Sequence, residues 1–174
     1  MSHAANLGRL EIVKAMAAMG AKDFQLAFGR AVLQGRLDCA RWLLGQGARL
    51  DPGAAMGACE ALNAEGLRFV AELGGPLTDE LGNRLAPLAM VLQTYSRHPA
   101  GKHEMLELIE QHGCALPDTP VMAFHRGDLA RLEKHLRRDP RLLERRFTLA
   151  EIYPAECGCD GTGMHWTPID GTTL

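Results

Sequence analysis

The chain has 174 residues, of which 47% are hydrophobic and 23% charged, and its formal net charge is −2. These values are close to those of folded globular chains and exclude disorder across the body of the protein. The small negative charge also argues against a general nucleic-acid binder, because nonspecific binding needs a basic face that neutralises phosphates.

The residue pattern contains no signal that would target the chain to a membrane or to secretion. The sequence contains no apolar run of about 18 residues, and its N-terminus lacks a basic segment followed by an apolar run and a cleavage site. The five cysteines are an odd number scattered through predicted helices, which does not fit a disulfide framework. We therefore expect a cytoplasmic protein whose thiols stay reduced.

An internal repeat with an offset of 27 residues opens the chain. Residues 3–21 read HAANLGRLEIVKAMAAMGA and residues 30–48 read RAVLQGRLDCARWLLGQGA, with a Gly, a Leu, an apolar residue and a closing Gly-Ala in register. Apolar positions three and four residues apart form one stripe on a helix, and the Gly before the stripe lets a preceding short helix turn back. The pattern predicts helix-turn-helix units, which must stack because one hairpin cannot bury both of its faces.

Further copies of the repeat follow along the chain. One copy begins at Gly101 and another at Gly127. Residues 61–77 read ALNAEGLRFVAELGGPL and are interpreted as a shortened copy in which Gly74 arrives early. The predicted units lie near residues 1–23, 24–50, 51–80, 81–116 and 117–147, and an irregular loop at 148–174 leads into the start of a further repeat.

The units resemble the ankyrin repeat, whose pattern runs Asp-Gly-x-Thr-Pro-Leu-His-x-Ala-Ala-x-x-Gly-x-Leu-x-x-Val-x-x-Leu-Leu-x-x-Gly-Ala. Residues 4–13 (AANLGRLEIV) and 20–21 (GA) match it closely, residues 119–120 supply the Thr-Pro step of the fifth unit, and residues 170–174 (DGTTL) resemble a sixth opening. The resemblance covers about residues 1–147 and the last five. It implies an all-α, ankyrin-type α-solenoid of about five repeats.

By the same resemblance, the chain is a module that binds a protein partner through a concave face and loops, and not an enzyme. The implied surface and the side-chain types give seven candidate contact residues, each of which also fits ordinary solvated surface: Asp23, Arg49, Gln93, Tyr95, Arg97, His125 and Arg126. Residues 95–103 form an insertion between the two helices of the fourth unit, and such insertions often lie on the binding face. The basic stretch 126–146 is either a solvated helix face or a contact for an acidic partner.

Both ends of the chain fall inside the repeat pattern. Met1 directly precedes the Ala-Ala step of one repeat, and Leu174 precedes the Leu-His step of another. Complete arrays carry polar capping repeats, so we expect either a fragment of a longer array or head-to-tail contact between copies. A regulatory repeat array of a longer enzyme is therefore one alternative function.

The segment 148–170 is the main anomaly, because it has no helical period and is rich in Gly and Pro, which predicts a loop. Cys157, Cys159 and His165 could form three ligands of a zinc site, with Asp160 or a group from outside the segment as a fourth. The spacing is poor for zinc, since the Cys-x-Cys pair lacks the usual two-residue gap and no second pair exists. We expect no metal and no other cofactor, and a metal-binding module stays the second alternative.

Overall fold

The computed structural model describes residues 1–160, Gly171 and Thr173. In that part of the chain all regular secondary structure is helical, with eleven α-helices and two short 3₁₀ helices. None of these helices combines the length and the apolar character needed to cross a bilayer. The all-α solenoid predicted from the repeat is confirmed.

The helices form five consecutive pairs followed by a short tail. The α-helices are α1 (Ser2–Asn6), α2 (Leu10–Ala18), α3 (Phe24–Leu33), α4 (Leu37–Gly45), α5 (Pro52–Glu60), α6 (Ala64–Glu72), α7 (Ala86–Gln93), α8 (Pro99–Gln111), α9 (Pro120–Arg126), α10 (Leu129–Arg138) and α11 (Leu149–Ile152). The 3₁₀ helices are Pro140–Leu143 and Ala155–Cys157. The unit boundaries given above remain a proposal.

The first helices of the pairs stack directly on one another. Helix α1 packs on α3, α3 on α5, and α5 on α7, while the second helices α6 and α8 also touch. The buried residues of these first helices are rich in alanine: Ala5, Ala27, Ala31, Ala54, Ala55 and Ala58. Because a methyl side chain takes little room, the helix axes approach closely and the layers are thin.

The third unit is full length, which corrects its interpretation as a shortened copy. Gly8, Gly35 and Leu62 occupy equivalent turn positions, and each has a left-handed backbone, with φ of 71°, 64° and 54°. The glycines that close the second helices keep the same spacing: Gly20, Gly47 and Gly74. Because a leucine replaces the turn glycine in the third unit, its 27-residue spacing from the second unit was not recognised from the sequence.

Leu62 is the one non-glycine residue of the described chain with a positive φ. A left-handed backbone costs a residue with a Cβ about 1–2 kcal/mol. The Leu62 side chain is only 2% exposed, and full burial of a leucine contributes about 1.5–3 kcal/mol. Packing of this side chain therefore offsets the backbone strain.

The fourth unit departs from the common register. Its second helix, α8, begins at Pro99, so Gly101 lies inside the helix and not in the turn, contrary to the sequence prediction. Gly101 is buried, and a Cβ there would collide with the carbonyl oxygen of Leu62 and the ring of His98. The turn itself is residues 94–98, two residues longer than the turns of the first three pairs.

Residues 149–157 contain two short helices, where the sequence predicted a loop. Thr148 begins the short helix α11 with a capping box, in which its hydroxyl and the carboxylate of Glu151 each bind the other residue's backbone N–H. The following 3₁₀ turn brings Cys157 into the interior. His165 and most of the predicted sixth opening lie outside the described residues.

Candidate binding site

The predicted contact residues lie at two opposite edges of the stack. Two of them are in the loops that join one helix pair to the next, and five are near the turns within a pair, at the other end of the helices. The first group is Asp23 and Arg49, and the second is Gln93, Tyr95, Arg97, His125 and Arg126. The set therefore does not form one continuous surface.

The first edge is held by local contacts. The Asp23 carboxylate accepts a hydrogen bond from the backbone N–H of Ser2 at 3.1 Å and lies 3.4 Å from the N-terminal ammonium group. The side-chain amide of Gln25 binds both the backbone N–H and the carbonyl oxygen of Arg49. Asp23 thus ties down the start of the chain, and only the exposed side chain of Arg49 is available to a partner.

At the second edge, the turn 94–98 is fastened to the end of α5. The hydroxyl groups of Thr94 and Ser96 both donate to the carbonyl oxygen of Glu60, at 2.6 and 2.7 Å. The ring of His98 donates from Nδ1 to the carbonyl oxygen of Leu62 at 3.2 Å. Carbonyl groups at a helix end lack partners within the helix, and these side chains supply them. The longer turn is therefore a fixed platform.

Two predicted contact residues are exposed on this platform. Tyr95 is 44% exposed, and its hydroxyl donates to the Glu60 carboxylate at 3.3 Å. The Arg97 guanidinium donates from Nη1 to the carbonyl oxygen of Tyr95 at 2.8 Å. Within residues 1–160, Arg97 is paired with no carboxylate. The Arg97 side chain is exposed on this platform.

Gln93 links the platform to the C-terminal segment. Its side-chain amide donates from Nε2 to Oδ1 of Asp160 at 2.7 Å. This contact joins the last residue of α7 to a residue 67 positions later in the chain. Gln93 and Asp160 therefore hold residue 160 beside the fourth unit.

Arg126 does not fit the prediction of a surface contact, because it is only 7% exposed. Its Nη2 lies 2.5 Å from the Glu107 carboxylate and 2.7 Å from the Glu110 carboxylate, and further hydrogen bonds from Nε and Nη1 complete the pairing. Hydrogen bonds to Glu110 and Glu107 raise the pKa of Arg126 above its usual value. The two carboxylates belong to α8, so this cluster fastens α9 onto the preceding unit.

A cavity of about 580 Å³ opens between the fourth and fifth helix pairs. Helix α9 packs on α8, α10 and α11 but makes little contact with α7, in contrast to the first helices before it. The space left beside the end of α7 is bounded by the turn 94–98, the first turn of α8, the end of α9 and Tyr153. The interruption in stacking therefore creates the cavity.

Lys102 lies in this cavity and lacks a carboxylate partner among the described residues. Its ammonium group donates to the carbonyl oxygen of Leu92 at 3.2 Å, near the end of α7. Burial lowers the pKa of Lys102 to about 8, and the positive charge of Arg97 acts in the same direction. Lys102 is thus mostly charged at neutral pH, in surroundings that disfavour its charge.

His125 is a structural residue at the back of the cavity. Its ring donates from Nε2 to the carbonyl oxygen of Ile152 at 2.9 Å, and it lies against Tyr153 with ring centroids 6.2 Å apart. Burial lowers the pKa of His125 to about 3, and the nearby Lys102 charge lowers it as well. The neutral imidazole therefore joins α9 to α11 over the physiological pH range.

Large apolar side chains flank the mouth of the cavity. Phe124, near the end of α9, is 59% exposed, and Leu129, the first residue of α10, is 72% exposed. Both line the cavity, as does Arg97. We call these three residues, Arg97, Phe124 and Leu129, the rim patch. It combines an aromatic ring and an arginine, which are side-chain types enriched at protein interfaces, with an exposed aliphatic side chain.

The two cysteines considered as zinc ligands are buried. Burial raises the pKa of Cys157 to about 11 and that of Cys159 to about 12, so both thiols stay protonated near neutral pH. The described residues contain no group of three His, Cys, Asp or Glu side chains arranged to hold a metal. His165 lies outside the described residues, so the three-ligand set stays an untested prediction.

Sequence reasoning missed Lys102, Phe124 and Leu129. Phe124 follows three consecutive buried residues, Val121 to Ala123, which leaves it on the opposite side of a short helix. Its exposure could therefore have been inferred from helical period. No comparable signal exists for Lys102, because its environment depends on the gap between α7 and α9.

Comparison with solved structures identifies the fold. The crystal structure of the human ASB11 ankyrin repeat domain matches with a TM-score of 0.55 and 18% sequence identity, over 99% of this chain and 88% of that chain. A scan against protein-family models finds no match, and a search of curated proteins finds none either. The chain therefore has the ankyrin-repeat fold, as its sequence resemblance predicted.

Proposed function

We propose that this protein is an interaction module that binds another protein through the rim patch and the adjoining turn 94–98. The ankyrin-repeat fold generally mediates protein–protein interaction, which supports the class of function. The fold alone does not identify a partner or a surface, because function resides in particular sites. The position of the surface rests on the side chains at the cavity mouth.

The observation that carries the proposal is the exposure of Phe124 and Leu129 beside the cavity. A concave site flanked by apolar side chains can accept a protruding side chain of a partner and remove its surface from water. Tyr95 and Arg97 stand on a turn that hydrogen bonds already hold in place, so a partner would lose little free energy in ordering it.

The five cysteines support a reducing compartment. All five are free thiols, and four of them are buried. A stack of helices with this composition needs no disulfide to close its core, because the repeats bury a continuous apolar layer. We therefore propose the cytoplasm as the compartment in which the module meets its partner.

Partner capture with matched variants tests the proposal. The tagged chain is compared with a Phe124→Ser/Leu129→Ser variant, in which both apolar groups of the rim patch are replaced. Leu81→Ser is the control, since Leu81 is 93% exposed in the loop between the third and fourth pairs. Circular dichroism first establishes that all three proteins fold.

We expect one partner that is retained by the wild type and by Leu81→Ser but lost by the rim variant. Burial of an aromatic anchor in an interface is commonly associated with about 2 kcal/mol or more, which is roughly a 30-fold change in affinity. Retention by all three proteins would remove the rim patch from the proposal. Capture of no protein by the wild type would contradict the interaction function itself.

A further inference from the structure

The cavity between the fourth and fifth pairs has an unbalanced positive charge. Lys102 and Arg97 both line it, and the charge of Arg97 adds to the effect of burial in lowering the pKa of Lys102. Asp128 is the one carboxylate among the described lining residues, and it is paired with Arg131 at 3.1 Å. Among the described lining residues, an added anion would therefore meet two cations and no carboxylate other than the paired Asp128.

The remaining wall of the cavity is mainly apolar. Leu62, Leu92 and Leu132 line it, together with the ring of Phe124 at its mouth. Its volume of about 580 Å³ lies within the range of roughly 300–1,000 Å³ that is typical of small-molecule sites. A ligand that fills this space needs an apolar body, because a fully polar molecule would leave its own groups without partners.

The Lys102 ammonium group has N–H donors that make no hydrogen bond within the described chain. It carries three N–H groups, and within the described chain it makes one hydrogen bond, to the carbonyl oxygen of Leu92. A carboxylate oxygen would accept from a second N–H and would form a charge-assisted hydrogen bond in partly buried surroundings. Such an interaction is strong where the neighbouring surfaces exclude water.

We propose that this cavity binds a small molecule with an apolar body and one carboxylate group, which accepts a hydrogen bond from Lys102 while Arg97 stands at the mouth. A single negative charge suits the site, because a dianion such as phosphate has a larger desolvation cost. Phosphate also has no apolar group to pack against the leucine side chains of the wall. The proposal concerns a small molecule inside the cavity and is tested without the protein partner; a partner side chain that entered the cavity would compete with this ligand.

Calorimetric titration with octanoate tests the proposal, and octanamide is the matched neutral ligand. Near neutral pH, octanoate is expected to bind at least about tenfold more tightly than octanamide, because the amide lacks the charge that Lys102 pairs with. Lys102→Met is expected to weaken octanoate binding by about tenfold or more. Lys134→Met, a substitution on the exposed face of α10, is expected to leave the affinity unchanged.

The pH dependence separates this site from nonspecific apolar binding. Octanoate binds the protonated ammonium, so its affinity should vary little between about pH 6 and the Lys102 pKa of about 8, and above that pKa it should fall toward the level of the Lys102→Met variant. Arg97 and Asp128 are the other charged side chains among the described residues that line the cavity, and Asp128 is paired with Arg131. The other titratable groups that face Lys102 or line the cavity are His98, His103, His125, Tyr153 and Cys159.

Lys102→Arg isolates the contribution of Lys102 from those other groups. Arginine cannot lose its proton, so this variant should keep its affinity for octanoate at the alkaline pH where the wild type loses it. Thermal melts of both Lys102 variants establish that they fold. If Lys102→Arg does not fold, the pH series on the wild type with octanoate and octanamide tests the proposal instead. Equal binding of acid and amide, or an affinity of the wild type that ignores pH, would overturn the proposal.

Discussion

The first three helix pairs and the last two use the same fold in different ways. In the first three, equivalent turn residues recur every 27 positions, and alanine-lined first helices stack without interruption. In the last two, the turn 94–98 is longer, α9 separates from α7, and a cavity opens. Thr94 and Arg126, the two buried polar or charged residues of the described chain, both lie in this part.

The difference separates a regular stacked region from the region that contains the candidate site. A regular repeat buries small apolar groups at each layer, so its free energy of unfolding is close to a sum of similar contributions. Where the repeat becomes irregular, side-chain hydrogen bonds and ion pairs hold the neighbouring helices in place beside the open cavity. The regular part therefore serves as a scaffold, and the irregular part presents the candidate site.

The largest expected effect concerns Leu62, the last of the three equivalent turn residues. Leu62→Ala removes a buried side chain and keeps the left-handed strain, so we expect the free energy of unfolding to fall by about 3 kcal/mol. Leu62→Gly removes the side chain but also relieves the strain. It should be no less stable than Leu62→Ala, although glycine is normally the worse of the two. Urea denaturation measures both.

A matched substitution at the equivalent turn of the second pair checks this reasoning. Gly35 has φ 64°, and a Cβ there would lie 2.7 Å from the side chain of Asn63. Gly35→Ala should therefore lower the free energy of unfolding by about 1–2 kcal/mol. If Leu62→Gly were clearly less stable than Leu62→Ala, the strain assigned to Leu62 would be absent.

The second expected effect concerns the buried charge that distinguishes the last two pairs. Arg126→Ala should lower the free energy of unfolding by about 2 kcal/mol, less than for a fully buried ion pair, because Glu107 and Glu110 stay partly solvated. The control is Arg137→Ala, which breaks an exposed pair with Glu133 and should cost less than about 0.5 kcal/mol. Equal losses in the two variants would mean that Arg126 is not a stacking residue.

The third expected effect is a dependence of stability on pH that arises from His125. Its folded pKa of about 3 lies below the unfolded value of about 6.5, so the unfolded state binds the extra proton as the pH falls. Between about pH 6.5 and pH 5, where most carboxyl groups stay ionised, the folded state should lose about 1–2 kcal/mol of stability from this residue.

Substitution separates this contribution from that of the other histidines. His125→Gln can keep a donor toward the carbonyl oxygen of Ile152 without the titration, so its denaturation midpoint should fall less with acid than that of the wild type. His3→Gln, at an exposed site in α1, should retain the wild-type pH dependence. The same acid dependence in all three proteins would contradict a buried neutral imidazole at position 125.

The sequence was sufficient to predict the helix pairs, because the glycine spacing and the apolar stripe are local features with a direct physical meaning. It failed at Leu62 and Gly101 for related reasons. A buried leucine replaced the turn glycine in the third unit, and a glycine in the fourth unit was needed for close packing and not for a turn. A residue type alone does not distinguish these two roles of glycine.

The candidate site was only partly predictable. The insertion after α7 identified Tyr95 and Arg97, because a longer turn disturbs a counted repeat. The partners of Arg126 are 16 and 19 residues away and on another helix, so the basic stretch around it gave no sign of its burial. The cavity depends on how far α9 stands from α7, which no local pattern encodes.

The most direct test of the central claim is hydrogen–deuterium exchange of the protein alone and in complex with its captured partner. We expect slower exchange in the complex at residues 94–98 and 120–129, around the rim patch, with little change in α1 to α4. The first two pairs also expose apolar side chains, at Leu7, Ile12 and Met19. Protection confined to those residues, with the turn 94–98 unchanged, would contradict it and place the partner on the regular part of the stack.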